Sequence, residues 1–195
     1  MTSNTSAERR GPTPAFSGPT IVLHRPQIPQ NTGNISRLCV AVKSPLILTG
    51  KIGFDFSSSA VKRAGLDHWQ HLDFQHFARF RDFVRFAAGR RIVAVTKAAR
   101  TSAFNFSYKA DDILLFGNET MGLPPALLRR LPYQVQIPMW GKVRSLNLSN
   151  SVAVVAYAHI RSVFGSDLAH SEADFPRTYY RPPAGKHSEV KPEHS

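Results

Sequence analysis

The sequence contains a single cysteine, Cys39, and little else that could build a metal or disulfide site. One cysteine cannot form an intrachain disulfide or a pair of thiolate metal ligands. The eight histidines show neither an HExxH pattern nor a spacing that pairs them with acidic or thiol ligands. We therefore expect no metal, and a lone thiol suits a reducing cytosol.

Long apolar segments are also missing. No run approaches the roughly 20 apolar residues that cross a bilayer, so we expect no membrane contact. Residues 1–19 lack the apolar core of a secretory signal and are rich in Ser, Thr, Pro and Gly. Residues 166–195 are similar in composition. The sequence thus predicts a cytoplasmic protein with a folded domain over 20–165 between disordered segments 1–19 and 166–195.

Acidic residues are scarce, with 13 Asp and Glu against 25 Lys and Arg and a formal net charge of +12. Residues 20–165 hold 19 of the basic and 7 of the acidic residues, and so carry the whole excess. A compact basic domain favours a polyanion such as nucleic acid, although a merely solubilising surface is the alternative. The densest basic cluster either guides RNA or forms a solvated helix face. It comprises Arg79, Arg81, Arg85, Arg90 and Arg91.

Short continuous apolar runs alternate with amphipathic segments along the central part of the chain. The predicted strands are 20–24, 45–49, 91–96, 112–116 and 135–139, with an ambiguous strand within 68–74. The predicted helices are 35–42, 57–67, 79–88, 124–131 and 149–164, and the third should bury Phe80, Phe83, Val84 and Ala87. This alternation predicts an α/β domain whose parallel sheet is covered on both faces.

Three polar segments follow predicted strands, and ligands of parallel sheets bind beyond the carboxyl ends of strands. In the first, IPQNTGNISRLC at 28–39, Asn31 or Thr32 is placed to cap the helix. Arg37 lies off the apolar stripe, so it either faces a phosphate or ribose or is a plain surface charge. The segments should cluster as one site.

The second segment, FGNETMGLP at 116–124, is neither a P-loop nor a GxGxxG fingerprint. Its glycines, including Gly117, either admit a ligand to the backbone or only form a turn, and Glu119 could accept hydrogen bonds from a ligand. The third segment places four polar side chains directly before an apolar helix. One of the four suffices for an N-cap, so the surplus ties down a loop or meets a ligand. They are Ser145, Asn147, Ser149 and Asn150.

Together the three segments resemble the SPOUT family of RNA methyltransferases, most closely its small 2′-O-ribose methyltransferases that act on the tRNA wobble nucleotide. The resemblance rests on PQNTGNISRLC, KRAGLD, FGNETMGLP and IPM…RSLNLSNSVAVVAY, in that order over about residues 20–165. It implies a parallel-sheet SPOUT fold with a deep C-terminal trefoil knot, and a homodimer. It also implies that S-adenosylmethionine is the methyl donor.

The resemblance also assigns roles to residues. Cofactor contacts would come from Val95, Thr96, Gly117, Glu119, Ile137, Ser145 and Leu146. Arg37 would hold the target phosphate and polarise the 2′-hydroxyl, and Asn31 would position Arg37 or the ribose. Asn147 and Tyr157 are further catalytic candidates. The substrate would be the wobble cytidine or modified uridine of a tRNA.

Two other functions remain open from the sequence. One is ribose methylation of rRNA or of another tRNA position by the same fold. The other is a non-catalytic RNA-binding protein that uses this fold. The absence of a separate RNA-binding domain before the site favours the wobble enzyme, and the presence of Arg37, Gly117, Glu119, Ser145 and Asn147 together favours catalysis.

Overall fold

The computed structural model describes residues 16–54 and 67–165. Most of the predicted helix 57–67, almost all of the segment 1–19 and the whole of 166–195 lie outside the described residues. The strands are β1 Thr20–His24, β2 Leu46–Thr49, β3 Phe74–Phe77, β4 Ile92–Val95, β5 Thr101–Ser102, β6 Ile113–Phe116 and β7 Tyr133–Gln136. The helices are α1 Pro29–Ala41, α2 Phe80–Phe86, α3 Pro125–Leu128 and α4 Leu148–Phe164, with a 3₁₀ helix at Asp67–His71.

All seven strands belong to one parallel sheet in the order β3-β2-β1-β6-β4-β7-β5. Strand β1 is central, since Ile21 pairs with Leu46 of β2 on one side and Leu114 of β6 on the other. Every residue of β1, β2 and β6 is buried. Burial on both faces explains why these strands read as continuous apolar runs, and the predicted parallel α/β fold is confirmed.

Helices cover both faces of the sheet. Alternate residues of a strand point to opposite faces, so Ile21 packs with Ile35 of α1 and Val155 of α4. Val22, on the other face, packs with Phe83 of α2. Helices α1 and α4, which carry two of the three polar segments, therefore share one face of the sheet.

Several strand and helix assignments predicted from the sequence differ from the structure. Strand β7 ends at Gln136 rather than at 139, because Pro138 has no N–H to donate and β4 offers no partner beyond Val95. The two-residue β5 has no apolar pattern and was missed. In α2, Phe83 is buried but Val84 is 45% exposed, because it lies at the edge of the apolar stripe. The ambiguous segment 68–74 is mostly the 3₁₀ helix, and β3 begins only at Phe74.

The basic cluster at 79–91 divides into two parts. Arg81 and Arg85 are exposed beside Asp82, at 3.9 Å and 3.6 Å. Arg90 donates to the hydroxyl of Thr20 at 2.8 Å, and Arg91 is held in a buried ion pair. Arg90 and Arg91 therefore stabilise the fold. Arg81 and Arg85 lie on an exposed helix face, and a role of the cluster in guiding RNA stays a prediction.

The described residues also bear on two expected absences. Over 16–54 and 67–165, no helix is both long enough and apolar enough to cross a membrane. The same residues contain no cluster of three or more His, Cys, Asp or Glu side chains that could hold a metal ion. Burial raises the pKa of the Cys39 thiol to about 12, so the single cysteine is a protonated core residue.

Candidate active site

A cavity of about 400 Å³ lies at the carboxyl ends of β4, β6 and β7, beside the start of α1. The three polar segments converge there, as the topology of a parallel sheet predicts. All seven residues assigned to the cofactor line this cavity, and so do two of the four assigned to catalysis. The nine are Val95, Thr96, Gly117, Glu119, Ile137, Ser145, Leu146, Asn31 and Asn147.

Glu119 ties the loop after β6 to the start of α1. Its Oε2 accepts from the backbone N–H of Gln27 at 2.9 Å, and its Oε1 accepts from that of Ile28 at 3.1 Å. Ile28 is the N-cap residue and has no side-chain acceptor of its own. Glu119, which lies 91 positions later in the sequence than Ile28, thus accepts hydrogen bonds from backbone N–H groups at the N-terminus of α1. The helix dipole is positive at this end and favours a carboxylate.

The prediction that Asn31 or Thr32 caps α1 is therefore wrong. The helix begins at Pro29, because proline's fixed φ suits the first helical position. Both residues lie inside the first turns, where Asn31 is 4% exposed and Thr32 is fully buried. Asn31 instead turns its side chain toward the cavity.

The side chains of Glu119, Asn31, Asn147 and Ser149 form one hydrogen-bonded chain, which we term the amide relay. Asn31 Nδ2 donates to Glu119 Oε1 at 3.0 Å, and Asn147 Nδ2 donates to Asn31 Oδ1 at 2.9 Å. Asn147 Oδ1 then accepts from the backbone N–H of Ser149 at 2.8 Å and from its hydroxyl at 2.7 Å. The relay joins all three polar segments.

The direction of the amide relay is fixed at both ends. An ionised carboxylate can only accept, so Asn31 must present its NH₂ to Glu119 and its oxygen to Asn147. The backbone N–H of Ser149 can only donate, so Asn147 must present its oxygen there and its NH₂ to Asn31. Both ends demand the same orientation. Asn147 is also the residue that caps α4, and Ser149 and Asn150 lie in the first turn of that helix and not before it.

Position 117 requires glycine because the backbone of the same loop lies too close for a side chain. A Cβ at this position would collide with the carbonyl group of Gly122 and the amide of Leu123. The loop closes through the N–H of Gly122 on the carbonyl of Asn118 at 3.0 Å, and Gly122 adopts a φ of +67°. The sequence left open whether these glycines admit a ligand or only form a turn, and the backbone contacts of the loop support the turn.

Two predicted catalytic residues do not reach the cavity. Arg37 projects from the exposed side of α1, and Tyr157 of α4 is 57% exposed. Neither lines the cavity. The structure brings Asn31 and Asn147 to the predicted cofactor residues, but it leaves Arg37 and Tyr157 on the outer surface of the described chain.

The cavity rim is positively charged. Lys97 and Arg144 line it, and neither was singled out from the sequence. Glu119 is the only acid among the described lining residues, and its oxygens already accept three hydrogen bonds. Lys97 could have been found from its position just beyond the end of β4. Arg144 was recognised only as positive charge near the loop.

No described lining residue is a free general base. The buried histidines His24 and His159 do not line the cavity, and burial lowers the pKa of each. His24 Nδ1 instead lies 3.0 Å from the hydroxyl of Thr49.

Replacing Glu119 with glutamine should uncouple the relay. All three partners of Glu119 are donors, and the NH₂ of glutamine would face one of them. We expect the free energy of unfolding to fall by about 1.5–3 kcal/mol, the usual range for hydrogen bonds to a charged group. Urea unfolding measures this, with Thr120→Ala as control because Thr120 makes one exposed hydrogen bond, to Gln27. Equal stability of Glu119→Gln and the parent protein would contradict the structural role of Glu119.

Comparison with known proteins gives consistent matches. Residues 18–157 match the model of the SpoU rRNA methylase family. The chain is 40% identical over 145 residues to tRNA (cytidine(34)-2′-O)-methyltransferase of Aeromonas hydrophila, covering 73% of this chain and 93% of that protein. It is 39% identical over 139 residues to the Escherichia coli K12 protein of the same name, covering 70% and 88%.

Two solved structures resemble the fold. One, from work on the 2-OH methylation of C/U34 on tRNA, is 40% identical with a TM-score of 0.71 and covers 75% of this chain and 97% of that one. The other is the SpoU methyltransferase AviRb from Streptomyces viridochromogenes in complex with the cofactor AdoMet. It is 29% identical with a TM-score of 0.62 and covers 75% of this chain and 60% of that one.

Proposed function

The chain belongs to the SpoU rRNA methylase family, and from that premise we propose that it methylates the ribose 2′-hydroxyl of the wobble nucleotide of tRNA. The methyl donor is S-adenosylmethionine, which a related methyltransferase binds. The nucleotide is cytidine or uridine 34, the position named for relatives that match over about nine tenths of their length.

The observation that carries this proposal is the convergence of the three polar segments on one cavity. Asn31 and Asn147 are 116 positions apart, yet their side chains share a hydrogen bond beside the cavity. The relay positions two amides and a carboxylate beside the cavity, and the described residues hold no cluster of three or more possible metal ligands. Such a site suits a transfer reaction in which alignment does most of the work.

The cavity suits S-adenosylmethionine in size and lining. Its volume of about 400 Å³ falls in the range of roughly 300–1,000 Å³ that small-molecule sites occupy. Val95, Ile137 and Leu146 are half-buried and present apolar surface that fits an adenine ring. Thr96 and Ser145 add polar atoms. We propose that these residues, with Gly117 and Glu119, hold the cofactor.

S-adenosylmethionine supplies an electrophilic methyl group on a sulfonium that is already a good leaving group. The protein must align the attacking oxygen with that methyl and ease the hydroxyl proton away. Alignment can contribute roughly 7–11 kcal/mol when the bound geometry is close to attack. We assign the positioning of the ribose to Asn31, whose orientation the amide relay fixes.

Arg37 holds the phosphate next to the target ribose and polarises the 2′-hydroxyl. A guanidinium already carries its proton and is a poor base, so the proton passes to the phosphate that it binds. This assignment agrees with the absence of a free base among the described cavity-lining residues. Asn147 acts through Asn31, and Tyr157 contributes from the exposed side of α4.

The active protein is a homodimer in this proposal. Asn31 lines the cavity while Arg37, six positions later on the same helix, projects from its exposed side. If both act on one ribose, Arg37 must work at the cavity of a second copy. The exposed Tyr157 is explained in the same way.

Three further features belong to the proposal. Residues 20–165 form one methyltransferase domain, and the chain around 117–164 threads a trefoil knot. The insertion of β7 between β4 and β5 and the Asn147–Asn31 bond, which draws the last loop onto the first helix, support the knot. The protein works in the cytoplasm, where tRNA is found.

A substrate comparison tests the proposal. The protein is incubated with labelled S-adenosylmethionine and either tRNA lacking wobble ribose methylation or rRNA lacking its own ribose methylation. We expect label in tRNA alone. Label in rRNA alone would support the other family reaction. Cofactor binding without transfer to either RNA would support a non-catalytic RNA-binding protein.

A further inference from the structure

Trp140 is the most exposed large apolar side chain among the described residues, with 88% of its surface open to solvent. It lies in the segment 137–147 that connects β7 to α4. Val143, in the same segment, is 62% exposed, and Met121 is 80% exposed. Apolar side chains grouped at a ligand site, rather than scattered singly, indicate a surface that a partner covers.

The position of Trp140 relative to the cavity follows from its neighbours. Met139 and Arg144 both line the cavity, and Met121 lines it as well. Consecutive Cα atoms are about 3.8 Å apart, so Trp140 lies one step from a lining residue. The backbone of Trp140 therefore lies beside the cavity lining, and its ring, which does not line the cavity, is open to solvent.

The positive charge around Trp140 favours a polyanion as the partner. Lys142 and Arg144 are exposed in the same segment, and Lys97 lines the facing side of the cavity. Glu119, the only described lining acid, is occupied by hydrogen bonds from α1 and its N-cap segment. A polyanion complements this positively charged rim, and tRNA, the proposed substrate, is one.

Resting on the proposed function, we propose that Trp140 stacks on a base of the tRNA anticodon loop while Lys142 and Arg144 hold the neighbouring phosphates. Every base offers a π-face, and an aromatic platform beside cations is the usual means of holding single-stranded nucleic acid. An anticodon loop presents unpaired bases that can be splayed out onto such a platform. Trp140 thereby holds the loop while its wobble ribose enters the cavity.

The sequence allows a direct spectroscopic test, because Trp69 is the only other tryptophan. Trp69→Phe leaves Trp140 as the sole tryptophan fluorophore and keeps an aromatic ring against Phe74. We expect quenching of Trp140 emission on titration with an unmodified anticodon stem-loop RNA. Inorganic polyphosphate, which has charge but no bases, should bind the rim with little quenching.

Substitutions provide a second readout. Trp140→Ala should weaken binding of the stem-loop by roughly 5- to 150-fold, the range that the loss of one base–aromatic stack produces. Trp140→Phe should restore most of the affinity, and Val84→Ala, on the exposed side of α2, should have little effect. The dissociation constant of S-adenosylmethionine should stay the same in all three variants, because Trp140 does not line the cavity.

The outcomes separate the inference from the proposed function. If the parent protein methylates tRNA but Trp140 emission is unchanged and Trp140→Ala binds normally, the stacking role is wrong and the proposed function stands. If Trp140→Ala instead dissociates a dimer in sedimentation, the occupant is a second copy and the inference is overturned. If the parent protein neither binds nor methylates tRNA, the proposed function is wrong, and the stacking role that rests on it is wrong as well.

Discussion

Replacing Arg37 with alanine is expected to lower kcat for tRNA methylation by about 10²–10⁴-fold, the usual contribution of a group that assists proton transfer. The loss should appear in turnover and not in cofactor affinity, because Arg37 does not line the cofactor cavity. Single-turnover kinetics with saturating cofactor measure the effect.

Two controls sharpen the Arg37 experiment. Arg37→Lys keeps the charge but loses the bidentate fork, so it should recover only part of the activity. A mixture of Arg37→Ala with Asn147→Ala should regain activity after subunit exchange if Arg37 serves the cavity of a second copy. Full activity of Arg37→Ala would remove this residue from the mechanism, and no regain in the mixture would place it in its own subunit's site.

Replacing Asp112 with alanine is expected to lower the free energy of unfolding by about 3–5 kcal/mol, the usual cost of removing one partner from a buried ion pair. Asp112 is fully buried and its carboxylate receives Arg91 Nε at 2.6 Å and the other guanidinium nitrogen at 2.7 Å. The guanidinium is also enclosed by the rings of Phe106 and Tyr133, at 5.1 Å and 4.9 Å. Without Asp112 the guanidinium, whose side chain is 16% exposed, would lose its carboxylate partner and keep its hydrogen bond to the carbonyl of Ser107.

The adjacent residue supplies the matched control. Asp111 is exposed, and its described hydrogen bond uses the backbone carbonyl, which accepts from Arg90 at 3.2 Å. Asp111→Ala should therefore unfold in urea within about 0.5 kcal/mol of the parent protein. The folded fraction of Asp112→Ala should keep its kcat, because the ion pair lies at the opposite ends of β4 and β6 from the cavity. Equal stability of the two variants would contradict this account of Asp112.

The sequence predicted the sheet well because its strands are buried on both faces. The runs 21–23 and 113–116 are apolar throughout, and the structure buries every residue of β1 and β6. A run of that kind can be recognised locally. The two-residue β5 carries no local signal, since only the partner strand β7 defines it.

The start of α1 shows why part of the site could not be predicted. Local rules pointed to Asn31 or Thr32 as the cap, because their side chains are good acceptors. The actual acceptor is Glu119, from a loop 91 positions away, and it frees Asn31 to join Asn147. Only the folded topology brings these groups together, so their pairing could not be read from either segment alone.

The positions of Arg37 and Tyr157 outside the cavity also could not be predicted from sequence patterns. Motif resemblance assigned both to catalysis, yet the described chain places neither in the cavity. A sequence motif indicates which residues take part in a reaction, but it does not indicate whether they act in the site of their own chain or of another copy. The assignment therefore stays a prediction that the subunit-exchange experiment addresses.

The most direct test of the central claim is the position of the transferred methyl group. tRNA lacking wobble ribose methylation is incubated with the protein and S-adenosylmethionine, digested, and mapped by mass spectrometry. We predict one 2′-O-methyl nucleotide at position 34. Methylation at another ribose or on a base would contradict the assigned substrate. The absence of any methyl transfer despite cofactor binding would contradict the assignment of the protein as a methyltransferase.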